Sequence, residues 1–235
     1  GPVAPAILDI AAAFKSDLIV LCRHGATGLT RWIMGSVAKN IVWHASVPVL
    51  VLSEGGTHLG SSPADIAQPL RMLVPLDGSA TANAALEPGA SLLTALAAPG
   101  QKRTLHLVSV VQPSHAVDAG SVGELSHNRE LAHARQFLHQ TTELIQHGSL
   151  APAIAQHRIP VTWSVLLDLD VAGALLRVVE QGEDTEGAGA FGGCHLLAMA
   201  THGRGGFQRW VMGSITERVL SVTQRPILLV HPPQE

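Results

Sequence analysis

The chain has 235 residues, of which 46% are hydrophobic and only 14% are charged, and its formal net charge is −3. This length allows one large domain, or roughly one and a half ordinary ones, with enough apolar residues for a sizeable core. A slightly acidic chain with 3% aromatic residues has no basic, aromatic-interleaved surface, so we expect neither nucleic acid nor a membrane as a partner.

The sequence contains neither a signal peptide nor an uninterrupted apolar stretch of about 18 residues. We therefore expect a soluble, cytoplasmic protein. The two cysteines, Cys22 and Cys194, each lie in or beside an apolar, strand-like run. Buried free thiols, rather than a disulfide framework, are expected in a chain of this size.

The first 53 residues predict a helix, a strand, a second helix and a second strand. We place them at residues 6–14, 18–22, from Ser36 onward, and 47–52. Residues 54–68 are rich in Gly, Ser and Pro and contain few apolar side chains, which is typical of a linker.

From residue 69 onward, five apolar runs alternate with helical patterns. The strands are predicted at 71–76, 104–111, 161–167, 195–200 and 226–230, and the helices at 80–97, 122–147, 171–180 and 214–223. Pro88 and Gly89 should break or kink the first helix, and the Gly-rich, acidic residues 181–193 predict a loop. Alternating strands and helices indicate the α/β class, with an open five-stranded, parallel, doubly wound sheet.

An internal repeat connects the two parts of the chain. Residues 17–53 align without a gap on residues 195–231, and both copies carry the hexapeptide pattern Arg-Trp-x-Met-Gly-Ser. The sequence therefore predicts the carboxyl-terminal half of a domain (1–53), a linker (54–68) and a complete domain (69–235). Two strands cannot bury their apolar faces alone, so we expect the half-domain to pack on the complete domain or on another chain.

Two loops at the carboxyl ends of strands have the chemistry of a ligand site. Asp77-Gly78-Ser79 follows the first strand of the complete domain, and a glycine-rich segment from Ala200 to Gly206 follows the fourth and leads to Gly213-Ser214 at the start of a helix. Ligands of open α/β sheets bind at such ends, and the N-terminus of a helix attracts anions. Ser214 to Glu217 also fits a capping box.

These motifs resemble the universal stress protein family. Its nucleotide-binding members carry Gly-x₂-Gly-x₉-Gly-Ser/Thr after the fourth strand, which Gly203 and Gly213-Ser214 match in spacing. The segment from Val74 to Ser79 is similar to the end of the family's first strand. The resemblance implies an adenine nucleotide alpha-hydrolase-like fold and a site for ATP, with or without Mg²⁺, or for a related adenine nucleotide.

The resemblance also implies a role for each site residue. Asp77 would accept hydrogen bonds from ribose or adenine, and Pro75, Leu76 and Val110 would line the base. The ribose and phosphates would be flanked by Met199, Ala200, His202 and Gly203. The phosphates would be held by Gly213, Ser214 and Ile215, and Arg204 would add positive charge beside them. No catalytic or metal-ligating residue is implied.

One residue departs from the family pattern: Ala200 stands where the motif has its first glycine, and Cys22 stands there in the half copy. Alanine fits if its φ stays negative, although its methyl group would approach the ribose. Purely structural roles are also consistent with the sequence. Asp77 could cap the following helix, and the Arg-Trp pairs at 31–32 and 209–210 could be packing or dimer contacts.

Three functions therefore remain open. The first is a stress-response module that binds ATP and is not an enzyme. The second is a slow ATP hydrolase, although no Walker lysine or carboxylate pair for Mg²⁺ is present. The third is a nucleotide-free protein that binds a partner or dimerises. The resemblance implies a homodimer, or pairing between domains within the chain, through the fifth strands at 47–52 and 226–230.

Overall fold

The computed structural model describes residues 2–23, 34–53, 67–113, 121–185, 189–201 and 212–232. The amino-terminal part forms α1 (Val3–Ala13), β1 (Ile19–Arg23), α2 (Ser36–His44) and β2 (Val49–Ser53). These four elements lie in the order that the sequence predicts. Most of the predicted linker, residues 54–66, lies outside the described residues.

The remaining described elements alternate largely as expected. They are β3 (Leu70–Pro75), α3 (Ala80–Asn83), α4 (Leu86–Leu96), β4 (Arg103–Val111), α5 (Ser121–Gln146), α6 (Pro152–Gln156), β5 (Val161–Leu167), α7 (Val171–Gln181), β6 (Glu183–Thr185), β7 (Gly189–Phe191), β8 (Leu196–Ala200), α8 (Ser214–Val222) and β9 (Ile227–Val230).

Seven strands form one sheet in the order β1-β2-β9-β8-β3-β4-β5. All neighbours are parallel except β2 and β9, which are antiparallel and pair at Val49–Leu229, Leu50–Leu228 and Val51–Ile227. The α/β class and the five-stranded parallel sheet are confirmed. In the internal repeat, β2 is the equivalent of β9, the fifth strand of the parallel sheet. Because β2 pairs with β9, the two strands of the amino-terminal part extend that sheet.

The helices cover both faces of the sheet, as a doubly wound fold requires. On one face, α3 to α6 pack over a buried apolar cluster that includes Met72 and Leu107. On the other, α1, α2, α7 and α8 share a second cluster that includes Leu73 and Val108. Alternate residues of each strand therefore point to opposite faces, both of which are buried over the centre of the sheet.

The helix predicted at 80–97 is interrupted upstream of the expected position. It breaks at Ala84 and Ala85, and Pro88 falls in the first turn of α4, where a missing N–H disrupts no intrahelical bond. Gly89 serves close packing: a Cβ placed there would lie 3.0 Å from the sulfur of Met72 and 3.2 Å from Cβ of Ala198. The glycine therefore lets α4 approach the sheet closely.

Three further expectations need correction. The predicted loop at 181–193 contains a short antiparallel pair, β6 and β7, and the short helix α6 was not predicted. Cys22 is exposed rather than buried, whereas Cys194 is buried as expected, and both thiols are free. Burial raises the pKa of the Cys194 thiol to about 12, which keeps it protonated at neutral pH.

The structure also extends the internal repeat. Helices α1 and α7 both have 11 residues, and their sequences, VAPAILDIAAA and VAGALLRVVEQ, share Val, Ala, Ala and Leu in register. The connection to the following strand is about ten residues longer in the second copy, and it contains β6 and β7. This insertion breaks the sequence register and hides the match.

Candidate functional site

The predicted site lies where the strand order reverses. β4 and β5 extend the sheet to one side of β3, while β8 and β9 extend it to the other. β3 and β8 are parallel neighbours, paired at Met72–Leu196 and Leu73–Leu197, so their carboxyl ends lie side by side. This is the position at which open α/β sheets bind ligands.

The turn after β3 is built around the Asp77 carboxylate. Its Oδ1 accepts hydrogen bonds from the backbone N–H of Ser79 at 2.9 Å and from the Ser79 hydroxyl at 2.5 Å, and Gly78 takes a positive φ of 84°. The cap of α3 is Ser79, whose hydroxyl oxygen accepts from the N–H of Ala82. Asp77 is therefore not the cap itself but holds the capping residue in place.

The three residues expected to line a base differ in accessibility. Pro75 and Val110 are half-buried, and the β3–β4 register turns both towards the same face of the sheet. The side chain of Leu76 points to the opposite face and is 2% exposed within the core under α3 and α4. In this conformation Leu76 can contribute only backbone atoms to the crevice.

The first turn of α8 is attached directly to the end of β8. The N–H of Gly213 donates to the carbonyl of Thr201 at 2.8 Å, and the Thr216 hydroxyl donates to the carbonyl of Ala200 at 3.1 Å. Gly213, rather than Ser214, is the N-cap, and no side chain of the cap accepts a hydrogen bond. The predicted capping box is thus wrong, because Ser214 already lies inside the helix and Thr216 bonds to β8.

Among the described residues, Gly213 is not tightly packed at the start of α8. Gly213 has a φ of −57°, which any residue can adopt, and a Cβ placed there would lie no closer than 3.6 Å to the described atoms. The fold therefore does not itself require glycine at this position. The first-turn N–H groups of α8 have no intrahelical acceptors, which makes this end a polar, anion-attracting surface.

Ala200 fits its place in the strand. It is the last residue of β8 and is 8% exposed, and its φ is not positive. The absence of the motif's first glycine therefore causes no backbone strain. Met199 is likewise buried, whereas Ser214 is exposed and Ile215 half-buried.

Most of the glycine-rich segment that follows Ala200 lies outside the described residues. This applies to His202, Gly203 and Arg204, to the Arg-Trp pair at 209–210, and to the corresponding segment 24–33 of the first copy. In the first copy, Gly35 caps α2 with a φ of −59°, nearly the same geometry as Gly213. The two glycines are therefore structural equivalents.

The sequence did not reveal a buried polar cluster near the amino end of β4. His106 is 1% exposed; its Nδ1 lies 2.9 Å from the Thr162 hydroxyl, and its Nε2 lies 3.1 Å from both the Ser164 hydroxyl and Glu183 Oε1. The cluster ties β6 to β4 and β5. Its members come from three separate elements, so no local motif could have indicated it.

A cavity of about 320 Å³ lies at the opposite edge of the sheet from this cluster. It is between α1 and the amino ends of β1 and β2, with Lys15 and His44 among its lining residues, and so it is separate from the predicted crevice.

In the ranges that the structure describes, no group of three or more His, Cys, Asp or Glu residues could hold a metal ion. Nor is any described helix both long and apolar enough to cross a membrane.

Comparisons with known proteins agree with this architecture. The model of the Universal stress protein family matches residues 1–53 and 190–231. A universal stress protein of Mycobacterium tuberculosis is 26% identical over 223 residues, which cover 92% of this chain and 62% of that protein. One from Methanocaldococcus jannaschii is 43% identical over 54 residues, or 23% of this chain and 32% of that protein.

Solved structures show the same fold. A universal stress protein from Archaeoglobus fulgidus aligns with a TM-score of 0.57 at 18% identity, over 97% of this chain and 66% of that one. The UspA protein from Lactobacillus plantarum aligns with a TM-score of 0.51 at 16% identity, over 71% of this chain and 99% of that one. The sheet has the adenine nucleotide alpha-hydrolase-like fold of these proteins.

In the two segments that the family model matches, and in its fold, the chain is similar to UspA-like universal stress proteins. It spans about 62% of the length of the mycobacterial relatives that it matches.

Proposed function

We propose that this chain is a universal stress protein that binds ATP, or a related adenine nucleotide, in the crevice between the carboxyl ends of β3 and β8. The observation that carries the proposal is the tie between Gly213 and Thr201, which holds the first turn of α8 at the end of β8, next to β3. A polyphosphate in that crevice would meet the N-terminus of a helix, where backbone N–H groups and the helix dipole stabilise negative charge.

Each part of the nucleotide has a candidate partner. Pro75, Val110 and the backbone of Leu76 would contact the base, and Asp77 would accept from the ribose or adenine. The backbone N–H groups from Gly213 to Ile215 and the Ser214 hydroxyl would hold phosphates. Met199, Ala200 and the loop residues His202, Gly203 and Arg204 would complete the ribose and phosphate contacts, and Mg²⁺ would be bound mainly through the phosphates.

The proposed role is that of a binding module rather than an enzyme, acting in the cytoplasm through its nucleotide occupancy. Among the described residues we find no lysine placed like that of a P-loop and no pair of carboxylates beside the crevice. In this proposal the complete domain (69–235) binds the nucleotide and the half-domain (1–53) serves as its fixed partner across residues 54–68. A nucleotide-free role in partner binding is the second candidate, supported by the β2–β9 pairing.

Isothermal titration with ATP tests the proposal directly. Saturable binding at a stoichiometry of one per chain, lost in Asp77→Ala and in Gly203→Val, is the expected result. Since Asp77 also supports the cap of α3, Ser79→Ala is the matched control: it removes the cap hydroxyl but keeps the carboxylate, and it should still bind. No binding at millimolar ATP would overturn the proposal and favour the nucleotide-free role.

A further inference from the structure

The cavity between α1 and the amino ends of β1 and β2 can be compared with the same place in the second copy of the repeat. In the first copy, the N–H of Ser16 donates to the carbonyl of Ala11 at 2.9 Å; in the second, the N–H of Cys194 donates to the carbonyl of Val179 at 2.7 Å. Ala11 and Val179 hold the same position in α1 and α7, and Ser16 and Cys194 each directly precede the aligned segments. This shared hydrogen bond relates the two places residue by residue.

An ion pair spans this place in the second copy but has no equivalent in the first. Arg225, just before β9, lies with its Nη2 3.3 Å from Oε2 of Glu180 in the last turn of α7. The residues at the same positions of the first copy are Val47 and Ala12, which are shorter and uncharged. Both of them line the cavity of about 320 Å³. Because all four residues belong to the part of the domain that is repeated, this difference does not depend on any residue that precedes α1.

The lining of the cavity is partly apolar and partly polar. Leu8, Ile19 and Val47 supply apolar surface, and Ser16 and Ser46 supply hydroxyl groups. None of the described residues that line it is acidic. At about 30 Å³ for each water molecule, the cavity holds about ten waters, which is the space that a small organic molecule of about ten non-hydrogen atoms needs. Apolar walls with a few polar groups are typical of small-molecule sites.

Lys15 brings positive charge to this cavity in a strained backbone conformation. Its φ is 51°, in the left-handed region that glycine usually takes after the last turn of a helix. The N–H groups of Lys15 and Ser16 donate to the carbonyls of Ala12 and Ala11, so the last carbonyls of α1 already have donors. None of the ion pairs between described residues includes Lys15. Its ammonium group is therefore available to a bound anion.

We propose that this cavity binds a small organic carboxylate with an apolar body. The carboxylate would pair with the ammonium group of Lys15 and accept hydrogen bonds from the hydroxyls of Ser16 and Ser46, because charge-assisted hydrogen bonds are the strongest contacts that this lining offers. The apolar body would lie against Ile19 and Val47. The site is at the amino ends of the strands, away from the nucleotide crevice, and the inference does not depend on nucleotide binding.

Benzoate is a suitable probe for the full-length chain, and benzamide, which has nearly the same shape without the charge, is its matched control. The readouts are the backbone amide chemical shifts of Ser16 and Ser46, followed by NMR during titration. We expect both amides to shift saturably with benzoate, with a Kd on the order of 1 mM for a ligand of this size. Benzamide should bind at least about tenfold more weakly, because it cannot pair with Lys15.

Matched variants locate the site. Lys15→Gly removes the ammonium group and relieves the left-handed backbone, so benzoate binding should weaken about tenfold while the urea midpoint does not fall. Arg158→Gly makes the same change at the end of α6, where φ is 49°, and should leave benzoate binding unchanged. The double variant Ala12→Glu, Val47→Arg installs the ion pair of the second copy and should abolish binding.

Three results would each overturn the proposal. Amide shifts that do not saturate at tens of millimolar benzoate would show that no site is present. Equal binding of benzamide would show that the charge of the ligand is not recognised. Unchanged benzoate binding in Lys15→Gly would place the ligand elsewhere, and this variant decides the question even where the double variant does not fold.

Discussion

The guanidinium of Arg23 donates a hydrogen bond to the main-chain carbonyl of Leu220, which joins the end of β1 to the last turn of α8. The reciprocal contact is made by His231, whose Nε2 donates to the carbonyl of Val42 in α2. Val42 and Leu220 are equivalent in the repeat. The two halves are thus held together by matching contacts on either side of the β2–β9 pair.

Arg23 should be the main polar contributor to this junction. It also donates to the carbonyl of Thr223 and to the Ser53 hydroxyl. Burial lowers the pKa of Arg23 to about 10, so its guanidinium remains charged at neutral pH. Arg23→Met would leave buried carbonyls without a donor, so we expect a loss of roughly 2–3 kcal/mol in the free energy of unfolding, measured in urea. Arg177→Met, which removes an exposed pair with Asp168, should cost less than about 1 kcal/mol. Equal losses would contradict this role of Arg23.

Removing the amino-terminal part should create a new dimer. Residues 67–235 alone would expose the edge of β9, whose Ile227, Leu228 and Leu229 are buried against β2 in the full chain. An uncovered apolar edge tends to pair with another chain. We therefore expect light scattering to give twice the fragment mass. A fragment that stays monomeric at high concentration would show that β9 needs no partner.

Asp170 should contribute stability that disappears in acid. It caps α7 by accepting from the N–H of Gly173 and also pairs with Arg218 of α8. The Gly173 hydrogen bond, followed by the contact with Arg218, lowers the pKa of the Asp170 carboxyl. Its stabilising effect is therefore complete above the ordinary aspartate pKa and is lost as pH falls through the lower, folded-state value.

Asp170→Asn keeps a capping side chain and removes the charge. Above about pH 4 the variant should have a lower urea midpoint than the unmodified protein, and the difference should shrink below that pH as Asp170 becomes protonated. A difference that stays constant from pH 6 to pH 2.5 would mean that the charge of Asp170 is not responsible.

Gly89→Ala should destabilise the protein even though alanine favours helices. The added methyl group would press on Met72 and Ala198, which are both fully buried. Overpacking of this kind costs about 1–3 kcal/mol, against a gain of about 1 kcal/mol in helix propensity. We expect a lower urea midpoint; a higher one would show that α4 can shift away from the sheet.

Much of the fold follows from sequence because its signals are local. The apolar runs of β3, β4 and β8 and the gapless repeat predict the strands and their order along the chain, whereas the pairing of the fifth strands was implied by the family resemblance. The break before Leu86 was misplaced because a proline in the first turn of a helix looks the same in sequence as one in its middle. The β6–β7 pair was missed because its Gly-rich segment lacks an apolar alternation.

The site is less predictable for a different reason. The spacing from Gly203 to Ser214 locates the start of α8. The sequence does not show, however, that the Leu76 side chain is buried while those of Pro75 and Val110 are half-buried, because tertiary packing determines this difference in exposure. Arg23 and His106 were overlooked because their partners come from elements far away in the chain. Long-range polar contacts leave no local pattern.

One matched pair of variants decides whether a nucleotide lies against the first turn of α8. Gly213→Ala and Gly35→Ala each add a methyl group that the described structure can accommodate. Because both glycines are N-caps, each variant should lower the urea midpoint by a similar, small amount. Measured by isothermal titration with ATP, Gly213→Ala should bind at least about tenfold more weakly, a loss of about 1.4 kcal/mol, while Gly35→Ala should bind as the unmodified chain does. If both variants bind ATP equally well, the nucleotide does not lie at the first turn of α8 and its site must be elsewhere.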